Sequence, residues 1–150
     1  MVNGDVSVKE VVRDAARFHG HLGPFLVVGV KMGLVARERL GLKGLEGQVA
    51  VRLVPPFSCV IDGVQVVTHC TVGNRRLTVE NSDGEITGDF VLAESGEGLR
   101  IIARSDRVRA LVDEISEGVA LEELAWKIAA LQDDELFRIE TFQRQGSGFS

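Results

Sequence analysis

Cysteine and histidine are scarce in this chain, with two of the former and three of the latter among 150 residues. Cys59 and Cys70 form no Cys-x-x-Cys pair and fall short of the four-ligand pattern of a structural zinc module, so a zinc finger within one chain is excluded. Excess basic charge is missing as well. A formal charge of -5 and a pI near 5.2 leave no footprint for nucleic acid, and the lone Arg75-Arg76 pair does not make one. No uninterrupted apolar run approaches the roughly 18 residues that a membrane helix needs. Met1-Val2-Asn3-Gly4-Asp5 shows no basic segment leading into an apolar one. The expectation is a cytoplasmic protein with no nucleic-acid and no membrane partner. Internal repeats and low-complexity linkers are also lacking.

At 45% hydrophobic and 26% charged residues, the chain has enough apolar side chains to bury a core of its own. A single domain over 1–145 is expected, followed by a disordered tail over 146–150 that continues the polar, glycine-containing stretch from Gln143.

Ser7-Val8-Lys9-Glu10 has the spacing of a capping box, so a helix should start there. Val8, Val11, Val12, Ala15 and Phe18 give that helix an apolar face. Gly20, Gly23 and Pro24 break it, and Pro24 suits the first turn of a second helix, where its missing amide hydrogen would be unpaired anyway. The second helix should run from Pro24 to Leu40 and end at Gly41. It is apolar nearly all round as far as Val30, which marks its first half as the central buried element. Gly29 and Gly33 would let another backbone approach it closely.

Gln48 to Val54 alternates as a strand closed by Pro55-Pro56. Ser58 is a candidate cap for a helix from Cys59 to Cys70, although the many β-branched residues leave a strand open. On one helix, the two cysteines would be about 16 Å apart along the axis, too far for a disulfide. Arg76 to Asn81, Glu85 to Ala93 and Leu99 to Arg104, separated by Asp83-Gly84 and Ser95-Gly96-Glu97-Gly98, read as an antiparallel meander. Ser105 should cap a helix to Ile115, and Leu121, Leu124, Ala125, Ile128 and Leu131 mark another. The fold class expected is α+β, with helices packed against an antiparallel sheet.

Chemistry concentrates in Phe18-His19-Gly20-His21-Leu22-Gly23-Pro24, at the break between the first two helices. In an extended turn the two imidazoles would point to opposite sides, whereas a tight turn at Gly20 would bring them together. Either one ring caps the preceding helix while the other packs, or the pair supplies a metal ligand or an acid/base. The amides after Gly23 would then form an anion-friendly helix start. Cys59 falls at a predicted first helical position, where the dipole should lower its thiol pKa, or it simply fills space. Asp62 shares its face one turn on. Cys70 reads as a packed thiol or as a ligand contributed to another site, and His69 as a helix-end partner of the dipole.

Phe18-His19-Gly20-His21-Leu22-Gly23-Pro24, Gly29-Val30-Lys31-Met32-Gly33, Cys59-Val60-Ile61-Asp62-Gly63-Val64-Gln65 and His69-Cys70-Thr71-Val72-Gly73-Asn74 together resemble the FmdE family, the E subunits of formylmethanofuran dehydrogenase, over roughly residues 8 to 105. The resemblance implies an FmdE-like α+β core, usually an intertwined homodimer, with a metal or ligand site in a groove near the dimer interface. The implied site positions are His19, His21, Cys59, Asp62 and Cys70, with Gln65 and Thr71 nearby. Two departures bear on chemistry. The family often reads His-Leu-Cys-Pro where this chain has His21-Leu22-Gly23-Pro24, and no cysteine follows Cys70 to build the C-terminal zinc-finger module of some relatives.

Three functional expectations follow. The first is a homodimer that binds a divalent metal through His21 and Cys59, with His19, Asp62, Gln65, Cys70 and Thr71 around the ligand site; zinc suits imidazole and thiolate. The second is a hydrolase or transferase with Cys59 as nucleophile and His19 or His21 as base, which demands hydrogen-bond reach between them. The third is a metal-free accessory protein of a formylmethanofuran dehydrogenase-type complex, linked by the family name to a molybdenum or tungsten enzyme of one-carbon metabolism.

Overall fold

The computed structural model describes residues 7–145; the expected tail over 146–150 lies outside the described residues. In chain order the elements are α1 (Val8–His19), α2 (Pro24–Leu40), β1 (Leu45–Val51), α3 (Cys59–Thr68), β2 (Leu77–Asn81), β3 (Thr87–Leu92), β4 (Glu97–Ala103), α4 (Ser105–Ser116), α5 (Leu121–Ala129), α6 (Asp133–Leu136) and β5 (Phe137–Gln143). The five strands form one mixed, mostly antiparallel sheet in the order β2-β1-β3-β4-β5. Helices packed with this sheet make the expected α+β class.

Helix α2 is the axis of the core. Every residue from Pro24 to Gly33 is buried, as its apolar first half predicts. It rests on the sheet where Met32 fills the space over Gly88 of β3. On its other side it meets α3 backbone to backbone. A methyl group on Gly29 would run into the Val60 carbonyl, and one on Gly63 into the Leu26 carbonyl. At Gly33 the neighbours are Val67 and Thr68, so the contacts advance in the same sense along both helices and their N-termini lie at one end. The close approach expected at Gly29 and Gly33 is therefore made within the chain, and that face offers nothing to a second copy.

Lys31 is the buried charge on α2. Its Nζ donates to the carbonyls of Leu131 at 2.7 Å and Ala129 at 3.2 Å, closing the C-terminal end of α5. Burial lowers its pKa from 10.5, while Asp133 and Glu135 act in the opposite direction. The far face of the sheet is polar and paired, as where Arg100 of β4 meets its register partner Asp89 of β3 in two bonds of 2.8 and 2.9 Å.

Several local expectations are corrected. Strand β1 starts at Leu45 and ends at Val51, earlier at both ends than the alternation over Gln48 to Val54 suggests: Gly47 lies inside it and makes room for the Phe90 ring across the ladder. Strand β2 is not part of a meander, because it pairs in parallel with β1 through the crossover helix α3. Residues 82–86 then carry the chain past the end of β1, where the Ser82 amide donates to Val51, and β3 pairs on the other edge. Ser7 is the extended N-cap of α1 but makes no side-chain cap, so the capping box does not close. Ser58 already has helical backbone angles and does not cap α3, and α4 includes Ser105 with Arg104 as its N-cap. Helix α3 ends at Thr68 because His69 turns left-handed at φ 63°, which leaves Cys70 off the helix. The C-terminal α6 and β5 are additions to the expected elements. Gln132 and Glu135 form a capping box, and β5 then pairs along β4 from Ala103↔Phe137 to Glu97↔Gln143.

Candidate metal centre

Three helix ends build the site. Helix α1 stops at His19 because Gly20 takes a left-handed conformation at φ 104° and returns its amide to the Ala16 carbonyl. That tight turn resolves the open question about the imidazoles, since the rings of His19 and His21 come together with centroids 4.5 Å apart. Gly23 and Pro24 then start α2, and Cys59 starts α3 beside it. The Gly29 and Gly63 contacts hold those two starts together.

One donor atom each from His19, His21 and Cys59 lies within 4.8 Å of the others. Nδ1 of His19 is 2.6 Å from Oδ2 of Asp62. A carboxylate at that distance accepts the Nδ1 proton, which leaves Nε2 with a free lone pair. Nε2 of His19 is buried and has no hydrogen-bond partner. An orphaned imidazole nitrogen beside a second imidazole and a thiol is the chemistry of a cation ligand, with Asp62 fixing the tautomer from behind.

Asp62 is itself held. Gln65 donates from Nε2 to Oδ1 of Asp62 at 3.2 Å and accepts the Val72 amide on its Oε1 at 3.0 Å, an arrangement that only one orientation of the amide satisfies. The structure thus divides the expected ligand set. His19 joins His21 and Cys59 at the centre, while Asp62 and Gln65 stand behind His19. Sequence spacing placed Asp62 near Cys59 but gave no sign that it would pair with His19.

Thr71 and Cys70 are not among the converging donors. Thr71 exchanges bonds with Asn74, through its own amide at 3.0 Å and its hydroxyl at 2.9 Å, and thereby shapes the loop into β2. Cys70 is buried with its thiol on the Leu45 carbonyl at 3.2 Å, and burial raises its pKa; it is the packed thiol of the two earlier alternatives. His69 is exposed at the end of α3, with its carbonyl taken by Asn74.

The Cys59 thiol differs from expectation. Its pKa is raised from 9.0, because burial and the neighbouring charge of Asp62 outweigh the favourable start of the helix. No hydrogen bond joins it to either imidazole among the described residues. Both observations count against a thiol nucleophile paired with a histidine base, which needs a low pKa and direct reach. A bound cation would itself deprotonate the thiol.

An α+β domain with two histidines and a cysteine converging at three helix ends is the class that fold and site define. The chain belongs to the FmdE family, described as "FmdE, Molybdenum formylmethanofuran dehydrogenase operon", which it matches over residues 18–143. An FmdE-like protein of tungsten formylmethanofuran dehydrogenase from Syntrophus aciditrophicus has the same fold, at a TM-score of 0.70 and 22% identity over 94% of this chain and 74% of that one. A probable S-adenosyl-L-methionine-binding protein of Archaeoglobus fulgidus is 34% identical over 99 residues, covering 63% of this chain. The aligned part is 27% of that relative's length. No described helix is long and apolar enough to cross a membrane.

Proposed function

We propose that this chain binds a divalent metal ion, zinc by the chemistry of its donors, on His19, His21 and Cys59. The convergence of those donors carries the reading, since their ligand atoms lie within 4.8 Å of one another and Nε2 of His19 is otherwise left buried and unpaired. Imidazole and thiolate together suit zinc better than magnesium or calcium, which prefer oxygen. Three protein donors are the number found in zinc sites that keep a position for water or substrate. When bound, such an ion polarises a ligand or lowers the pKa of a bound water. The residues of this chain supply the rest: Asp62 fixes the His19 ring, and Gln65 fixes Asp62.

Membership of the FmdE family supports a relation to the E component of formylmethanofuran dehydrogenase. Pairing as a homodimer, association with a complex of that enzyme and a place in one-carbon chemistry rest on the family alone. Sedimentation at micromolar concentration tests the first of these, and a monomer there removes it.

Metal content measured by atomic spectroscopy on gently purified protein tests the central reading. Wild type should retain about one zinc per chain, His21→Ala should lose it with unchanged circular dichroism, and His69→Ala should keep it, because a site lacking one ligand cannot complete its coordination shell. Equal metal content in wild type and His21→Ala overturns the assignment.

A further inference from the structure

Gly23 sits at the mouth of the three-donor cluster without a side chain. Its backbone is extended, with φ -149° and ψ 169°, so nothing in the conformation requires glycine. A Cβ built there would meet Nε2 of His21 at 3.7 Å and its Cδ2 at 3.8 Å, with no other atom within 4 Å beyond its chain neighbours. Position 23 therefore faces an imidazole edge across space that the chain leaves empty, and His21 itself is exposed.

Charge decides what would enter that space. A dication held by two neutral imidazoles and one thiolate keeps a net charge of +1, which favours an anion as the remaining ligand. The surrounding backbone tilts the same way. The positive starts of α2 and α3 face the cluster from Gly23 and Cys59, against the single negative end of α1 at His19. Asp62 does not add a competing charge at the opening, because both of its oxygens are engaged by His19 and Gln65.

We infer that the side-chain-free position at Gly23 keeps one coordination site of the metal open to an exogenous small anion that binds through a single donor atom. This rests on the metal reading above. A fourth protein ligand at position 23 would close the site and convert it to a purely structural one. Glycine keeps it accessible.

Cobalt(II) replaces zinc as a spectroscopic reporter, with azide as the probe anion. Wild type should take up one cobalt per chain, and azide should shift its ligand-field bands saturably. Gly23→Cys should bind cobalt with about twice the sulfur-to-cobalt charge-transfer intensity of wild type and show no azide response. Gly23→Ala, which adds a methyl group at ordinary contact distance, should respond to azide as wild type does and serves as the control for folding. If wild type takes up no cobalt, the metal reading itself fails. If cobalt binds but azide leaves its bands unchanged, or if Gly23→Cys still responds to azide with wild-type sulfur intensity, the inference about Gly23 fails while the metal reading stands.

Discussion

Nδ1 of His19 and Oδ2 of Asp62 lie 2.6 Å apart although the residues are 43 positions apart in sequence. This one bond ties the last residue of α1 to the first turn of α3 and decides which nitrogen of His19 faces the cluster. Removing the charge while keeping the shape should therefore weaken the site more than the fold. Asp62→Asn is expected to lower metal affinity by about 10- to 100-fold. Loss of the first-turn carboxylate should cost only about 0.3–1 kcal/mol of stability. Competition with a chromophoric chelator gives the affinity and urea denaturation gives the stability; a variant with wild-type affinity would assign Asp62 to helix capping alone.

The crossing of α2 and α3 predicts a sharp contrast between glycines. Gly63→Ala forces a methyl group into the Leu26 carbonyl, where only backbone could yield. It should destabilise the protein by about 1–3 kcal/mol or more, as overpacking does. Gly73→Ala, whose nearest neighbour would be the Thr71 hydroxyl at 3.8 Å, should stay within about 0.5 kcal/mol of wild type. Denaturant midpoints of the two variants make the comparison.

Lys31 gives a pH signature. Burial lowers its pKa in the folded chain below the 10.5 of an ordinary lysine, so between the lowered value and 10.5 the unfolded chain holds the extra proton. Stability contributed by this group therefore rises with pH across that window, and below it the cost of burying the charge is fully present. The stability of wild type relative to Lys31→Met should increase as pH climbs toward 10.5. A difference that is flat or falls over that range, measured by urea titration at each pH, would contradict the burial of a charged amine.

The two thiols should separate under alkylation. Cys70 is 1% exposed and bonded to the Leu45 carbonyl, whereas Cys59 is 8% exposed at a helix end beside the exposed His21. Mass spectrometry after iodoacetamide treatment of metal-free, folded protein should find Cys59 modified ahead of Cys70. Prior addition of zinc should protect Cys59 and leave Cys70 as it was. Equal labelling of Cys59 with and without zinc would place the thiol outside the metal site.

Helices were the most legible part of the fold, because helical periodicity and its stops are local. The bounds of α1 and α2 follow from Val8 to Phe18, Gly20, Pro24 and Gly41. Strand pairing was not local in the same way. Asp83-Gly84 looks like a hairpin turn, and nothing within β2 states that its partner is β1 on the far side of a helix. Strand β5 carried a readable signal in Phe137, Ile139 and Thr141 alternating with Arg138 and Glu140, but Phe142 breaks the pattern by packing over Gly98 on the opposite face. At the site, the motif spacing picked out His19, His21, Cys59 and Asp62, yet their roles depend on the left-handed Gly20 and on the α1 to α3 contact. The expected acidic shift of Cys59 failed for the same reason, since burial and the Asp62 charge arise only once the chain has folded.

The backbone contact between Gly29 and Gly63 also limits how the molecule can move. Most helix pairs are separated by a layer of side chains that can change rotamer and let one helix shear along the other. Here carbonyl and Cα groups are in direct register, so smooth sliding is blocked and a shift would require a jump to a different register. The spacing between the starts of α2 and α3 is thereby set by main-chain dimensions. Ordering of the donors takes place during folding, and an arriving ion meets a rigid, pre-formed cradle with little entropy left to lose.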